Sequence, residues 1–191
     1  MLDNTPQAES KISDHLKRIV IVGSSGSGKT TLAKGISKVL GNRHIELDAI
    51  RHGPNWVETP DDIFCEKIAE ATHTGNWVSD GNYSVARDVL WPSATTLIYL
   101  DYSIGVVMRR LVSRTLRRSI MREELWNGNR ENILDNFKIF SNDSVIAYSF
   151  KNHWKRRRKF VELFKHPDYA HIQKLRFYTP EDAEVWLAGL S

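Results

Sequence analysis

Residues 19–31 read IVIVGSSGSGKTT, and this stretch decides the fold. From Gly23 to Thr30 the spacing is G-x-x-x-x-G-K-[ST], a glycine-rich turn whose backbone N–H groups wrap phosphates. In such a loop the lysine, here Lys29, reaches the outer phosphates, and the hydroxyl of Thr30 sits on Mg²⁺. The pattern has meaning only between a strand and a helix. Arg18 to Val22 reads as a short buried strand, and Thr31 to Leu40 sets Leu32, Ala33, Ile36, Val39 and Leu40 on one helical face. Gly41 and Asn42 then stop the helix. Gly23, Ser24, Ser25, Gly26, Ser27, Gly28, Lys29, Thr30 and Thr31 are therefore the candidate nucleotide-binding residues.

Outward from this loop, short apolar runs alternate with helical patterns, as a parallel α/β sheet requires. Strands are expected near Arg18 to Gly23, Arg43 to Leu47, Trp77 to Ser79, Thr96 to Leu100 and His171 to Phe177. Helices are expected over about Lys29 to Leu40, Pro60 to Thr74, Tyr83 to Leu90, Ile104 to Arg118, Arg130 to Phe164 with a break, and Pro180 to Leu190. A polar, mobile tail over 1–16 and a single domain over 17–191 complete the organisation, with no repeat and no linker rich in Gly or Pro.

A chain of 191 residues with 41% hydrophobic content can fill one core. No apolar run approaches the roughly twenty residues that span a bilayer, and MLDNTPQAESKISDH lacks a signal-peptide hydrophobic region. A soluble, cytoplasmic protein is expected. The single Cys65 excludes an internal disulfide, neither C-x-x-C nor H-E-x-x-H occurs to suggest zinc, and Cys65 reads as a buried structural thiol. Residues 1–100 carry 10 Lys and Arg against 12 acids, whereas residues 101–191 carry 17 against 11. The basic half should meet something anionic.

In sheets of this kind ligands bind beyond the carboxyl ends of the strands. There HIEL delivers Asp48, WVS delivers Asp80 followed by Gly81, Asn82 and Tyr83, and TLIYL delivers Asp101. Phosphoryl transfer needs a carboxylate for Mg²⁺ or its waters and gains from another that orients the attacking hydroxyl. Helix capping is the alternative for each, and it is the expectation for Asp101, which precedes Tyr-Ser-Ile-Gly and a helix. Asp80 joins Thr30 on the metal side, Gly81 lets a ligand approach the backbone, and Asn82 and Tyr83 offer polar groups to a second substrate. Gly81 and Tyr102 stand where a water-polarising glutamate would follow the strand-end aspartates, which favours transfer to an acceptor over hydrolysis. No [NT]-K-x-D stretch reads guanine, so ATP is the expected nucleotide.

The helix after the fourth strand carries Arg110, Arg114, Arg117 and Arg118 in one stripe opposite Val107, Leu111, Val112, Thr115 and Leu116. Like charges so spaced repel by a few tenths of a kcal/mol per pair unless an anion intervenes. Guanidinium groups fork onto phosphate and stack on flat bases, so ATP fits the stripe; a solvated face or a nucleic-acid contact is the alternative.

These residues resemble the nucleoside monophosphate kinase-like P-loop kinases typified by adenylate kinase. The third strand ends in Asp-Gly, as at Asp80 and Gly81, and the fourth in Asp-x8-Arg-x3-Arg, as at Asp101, Arg110 and Arg114. HIELDAIRHGPNWVETP, WVSDGNYS and RTLRR are similar to a bacterial group labelled adenylate kinase-related or topology modulation proteins. The resemblance implies a three-layer α/β P-loop NTPase fold with a five-stranded, mostly parallel sheet and an arginine-rich helical lid over about 115–130. It implies Arg110 on adenine, Arg114 and Arg118 at the transferring phosphate, 178–183 beside the base, and arginines of the run KNHWKRRRK (151–159) on the phosphates.

One departure matters. Adenylate kinases carry Asp-Gly-Phe-Pro-Arg, with the arginine on the acceptor monophosphate; here Asp-Gly-Asn-Tyr-Ser stands, with no arginine until Arg87. Asp48 with Asn82 and Tyr83 looks more like the acceptor pocket of P-loop kinases for hydroxylated small molecules. Arg51, His52 as a donor and Trp56 as a stacking wall complete it, with ordinary loop packing as the alternative. The reading is an ATP- and Mg²⁺-dependent kinase with Lys29, Asp48, Asp80, Arg114 and Arg118 as catalytic candidates. A nucleoside monophosphate kinase proper is one rival. A DNA-binding regulatory protein using 109–122 and 151–159 is the other, although Trp126 and Trp154 read as core rather than as base-stacking residues.

Overall fold

The computed structural model of the protein describes residues 15–121, 123–130 and 145–190. Its elements in chain order are β1 (Arg18–Gly23), α1 (Lys29–Leu40), β2 (Arg43–Glu46), α2 (Leu47–Arg51), α3 (Asp61–Thr72), β3 (Trp77–Asp80), α4 (Ser84–Leu90), β4 (Thr96–Leu100), α5 (Ile104–Ile120), α6 (Val145–Lys165), β5 (Gln173–Phe177) and α7 (Pro180–Ala188). Single 3-10 turns stand at Pro54–Trp56, Trp91–Ser93, Trp126–Gly128 and Pro167–Tyr169.

The five strands lie in the order β2-β3-β1-β4-β5, and every neighbouring pair is parallel. Successive side chains of a strand face opposite sides, so β1 feeds two cores. Val20 and Val22 join Phe64, Trp77, Leu90 and Phe160 under α3, α4 and α6. Ile19 and Ile21 join Leu32, Ile36, Val78, Ile98 and Val107 under α1, α5 and α7. This is the expected three-layer α/β architecture, with a wholly parallel sheet. Among the described residues no helix is long and apolar enough to cross a membrane.

Local chemistry sets the helix ends. α1 stops where Gly41 turns left-handed (φ 70°) and donates its N–H to Ser37 O. α7 starts in a reciprocal capping box: Asp182 N–H donates to Thr179 Oγ1 at 3.2 Å, and Thr179 N–H donates to Asp182 Oδ2 at 3.1 Å.

Several boundaries differ from expectation. β2 ends at Glu46, and Leu47 opens a five-residue helix that periodicity over so short a span does not reveal. β5 begins at Gln173 rather than His171, and α5 continues to Ile120. The expected helical stretch 131–144 lies outside the described residues, as does 1–14 of the expected tail. His15 and Leu16 are tied down: His15 O accepts from the hydroxyls of Thr95 and Thr96, and Leu16 is buried with its carbonyl on Asn42 Nδ2. Cys65 is half-buried rather than buried, its thiol donating to Val85 O at 3.6 Å.

Candidate active site

The loop after β1 is pressed against α5. At Gly26 (φ +85°) a Cβ would stand 2.9 Å from both Leu111 Cβ and Val107 O, so glycine is required there by conformation and by space. Ser27 N–H closes a turn onto Ser24 O at 3.0 Å. The Lys29 ammonium arches back over the loop and donates to Gly23 O at 3.1 Å and Ser24 O at 3.2 Å. Burial pushes Lys29 down to about 8; the Asp48 and Asp80 carboxylates oppose the shift, and Arg114 and Arg156 add to it. Groups from α2, β3, α5 and α6 thus act on one amine.

Asp80, 3% exposed at the end of β3, accepts from Thr30 Oγ1 at 2.6 Å. Its other oxygen meets His44 Nε2 at 2.7 Å. Sequence reasoning passed over His44. The signal was its place on β2, which pairs in parallel with β3 and runs toward the same edge. Asn82 clamps the entry to the loop, its Oδ1 accepting from Gly23 N–H at 3.2 Å and its Nδ2 donating to Gly23 O. The room beside Gly81 is taken as well, since a Cβ there would lie 2.8 Å from Leu47 Cβ. The missing side chain at Gly81 thus admits the packing of α2 on β3.

Asp48 sits in the first turn of α2, where Tyr83 O–H donates to its Oδ1 at 2.7 Å and meets His52 Nε2 at 3.3 Å. Burial, with the Asp48 carboxylate, pushes the Tyr83 phenol far above its ordinary value, which keeps it a donor. Asp48, His52 and Tyr83 are thereby brought together. Arg51 does not join them freely: it is held by Glu58 at 2.7 Å, Asp61 at 2.6 Å and Thr59 O at 2.9 Å.

His52 and Trp56 instead dock onto the segment expected as a lid. Residues 52 and 58 form one antiparallel bridge and residues 124 and 130 another, and the two turns pack together. Asn129 spans them, accepting from Trp56 N–H at 2.9 Å and donating to Gly53 O at 2.8 Å. Asn127 donates to His52 O at 2.6 Å, and the rings of Trp56 and Trp126 meet edge to face at 6.5 Å. Trp126 is half-buried in this contact rather than in the core. Trp154, also read as core, is 48% exposed against Phe150.

The α5 stripe divides. Arg110 Nη1 would lie 3.3 Å from a Cβ at Gly28, so this side chain overhangs the start of α1, and its guanidinium stands 5.9 Å from the Tyr102 ring. Arg114 faces Lys29 closely enough to depress it. Arg117 and Arg118 meet Glu123 at 3.6 Å and 3.9 Å. On α6, Arg156 acts on Lys29, Arg158 is exposed, and His153 is buried and meets Ser24 Oγ at 3.5 Å.

Arg157 has another partner, and with it the capping expectation for Asp101 is overturned. The Asp101 side chain is fully buried and accepts from Arg157 Nε, from Arg176 Nε at 3.1 Å and Nη2, and from Tyr99 O–H at 3.0 Å. Ser103, not Asp101, precedes α5. Buried carboxylates are tolerated when paired and fully hydrogen-bonded, and α6 and β5 supply the pairing here. An arginine between Leu175 and Phe177 was the available signal.

No family model matches the chain, and no curated protein matches it. Among solved structures it is similar to a sugar kinase from Janibacter sp. HTCC2649 (17% identity, 90% of this chain and 92% of that one, TM-score 0.47). It is similar to a gluconokinase from Sinorhizobium meliloti 1021 (18%, 92% and 92%, TM-score 0.50). It is similar also to a shikimate kinase from Bacteroides thetaiotaomicron (18%, 91% and 95%, TM-score 0.52). At such identities the likeness is one of architecture, and the chain has the parallel α/β fold of the latter two.

Proposed function

We propose that the protein is a cytoplasmic, ATP-dependent kinase that moves the terminal phosphate of Mg-ATP to the hydroxyl of a small molecule. The observation that carries this reading is the convergence on Lys29 of two carboxylates, Asp48 and Asp80, and two guanidiniums, Arg114 and Arg156. The fold shared with a gluconokinase and a shikimate kinase agrees with it. So does the adenylate kinase-like spacing, by which Arg110 and the turn 178–183 flank the base, 115–130 serves as lid and 17–191 as one catalytic domain.

The Thr30 hydroxyl and the Asp80 carboxylate stand side by side at 2.6 Å and offer the hard oxygen donors that Mg²⁺ prefers. Mg²⁺ is commonly held by one or two side-chain oxygens and completes its shell with phosphates and water. When bound, Mg²⁺ neutralises charge on the phosphates.

The chain's own residues do the rest. Asp48, oriented by Tyr83, accepts a hydrogen bond from the acceptor hydroxyl and takes its proton as the oxygen bonds to the γ-phosphorus. The bond from that phosphorus to the β,γ-bridging oxygen breaks, and ADP leaves with the electron pair. Lys29, Arg114, Arg118 and Arg156 stabilise the charge spread over the transferring oxygens. Gly81 and Tyr102, following Asp80 and Asp101, leave no glutamate there to polarise water.

Mixing purified protein with Mg-ATP labelled on its terminal phosphate and a panel of hydroxylated metabolites, nucleosides and nucleoside monophosphates tests the reading. A labelled acceptor is expected, with turnover falling about 10²–10⁴-fold in Asp48→Asn. Equal release of free phosphate by wild type and Asp48→Asn, with no labelled acceptor, would refute it.

A second reading, nucleic-acid binding, draws on exposed Tyr148, Phe150 and Trp154 interleaved with Lys151, Lys155 and Arg158 on α6. It requires binding whose logarithm falls linearly with the logarithm of salt concentration.

A further inference from the structure

Between α4 and α6, over the Val20 and Val22 face of the sheet, lies a cavity of about 280 Å³. That is close to the lower end of small-molecule sites, which run from ~300 Å³ upward, and far too small for a polymer. Val22, Leu90 and Phe160 contribute to its apolar floor. Four cations line it, Arg87 from α4 and Lys155, Arg156 and Lys159 from α6, and among the described residues no carboxylate does.

Like charges gathered over an apolar floor repel at reduced dielectric, and an anion relieves the repulsion. Arg87 sharpens the point: its Nε is buried with no hydrogen-bond partner among the described residues, and its guanidinium stands 5.9 Å from the ring of Trp91, which also lines the cavity. The cavity also communicates with the reacting centre. Tyr83 lines it and holds Asp48, and Arg156 lines it and acts on Lys29.

We infer that this cavity holds the phosphoryl acceptor, and that the acceptor is an anion. Its carboxylate or phosphomonoester is gripped by Arg87 and Arg156, with Lys155 and Lys159 at the rim, and its hydroxyl faces Asp48. The anionic group is a spectator of the transfer; it selects and orients. The inference rests on the kinase reading of the Lys29 site.

The test pairs each anionic compound with its neutral parent: sugar acids and sugar phosphates beside sugars, nucleoside monophosphates beside nucleosides. Binding is measured by calorimetry in the presence of a non-hydrolysable Mg-ATP analogue, and transfer is measured with labelled ATP. Anionic members should bind and their neutral parents should not. Arg87→Gln should weaken that binding about tenfold to a hundredfold, the range for a lost charge-assisted hydrogen bond, while the nucleotide Kd and the melting temperature stay unchanged. Arg87→Lys should restore part of it. Carboxylate and phosphate arms separate the two sources of charge. Neutral parents binding as well as the anions, no anion binding at all, or binding indifferent to Arg87→Gln would overturn the inference. Transfer to a neutral acceptor would do so while sparing the kinase. Anion binding without any transfer would sink the kinase reading and leave the anion site.

Discussion

On the proposed function, the Lys29 side chain couples nucleotide binding to pH. With its pKa pushed down to about 8, half of the free protein carries a neutral amine at that pH, whereas the phosphates of ATP require the ammonium. Binding should therefore take up a proton. Affinity for Mg-ATP should be level below about pH 7 and fall above pH 8, and Lys29→Met should abolish the proton uptake seen by calorimetry in two buffers. Unliganded stability runs the other way: the folded value lies below the ordinary 10.5, so stability rises as pH climbs from about 8 to 10.5. Asp101 offers a second test. Removing one member of a buried ion pair costs about 3–5 kcal/mol, and the lower end is expected for Asp101→Ala because Arg157 and Arg176 reach solvent; urea unfolding would measure it. The loop at Lys29 was legible in the chain because its geometry is local. The role of Asp101 was not, since it depends on an arginine 75 residues away.

At the scale of elements, the docked turns at 52–58 and 124–130 behave as one unit. Trp56 is held at φ 60°, a conformation costing a bulky residue about 1–3 kcal/mol, and the N–H it presents is taken by Asn129. Asn129 is 4% exposed and bonds both partners of its amide, so Asn129→Ala should release both turns together. Hydrogen exchange should then quicken in 52–58 and 124–130 to the same extent; a change confined to one would contradict the coupling. The long helices α1 and α5 were visible as stripes of apolar residues. α2 was hidden by its five residues, and the docking of two polar turns carries no periodic signal at all.

For the molecule as a whole, anything that binds only the folded state stabilises it by mass action. Mg-ATP at about a hundred times its Kd adds roughly 2.7 kcal/mol. For a chain of 191 residues that corresponds to a rise in melting temperature of about 5–10 °C, readable by calorimetry and absent in Lys29→Met. The architecture needed little more than alternation to be read: strands delivering aspartates to one edge and helices between them. That every strand pair is parallel follows from those helical crossovers, whereas the strand order is long-range information that no local pattern holds.

The turn that closes on the Asp48 region is written Asn127-Gly128, with Asn127 left-handed at φ 56°. An asparagine followed by glycine meets the least steric resistance to cyclising through a succinimide and losing its amide nitrogen. That nitrogen is the donor to His52 O and Ala49 O, and the carboxylate replacing it would face two carbonyl oxygens. The contact between the two turns therefore carries its own chemical clock, and protein aged at alkaline pH should yield a deamidated 124–130 peptide together with faster exchange at 52–58.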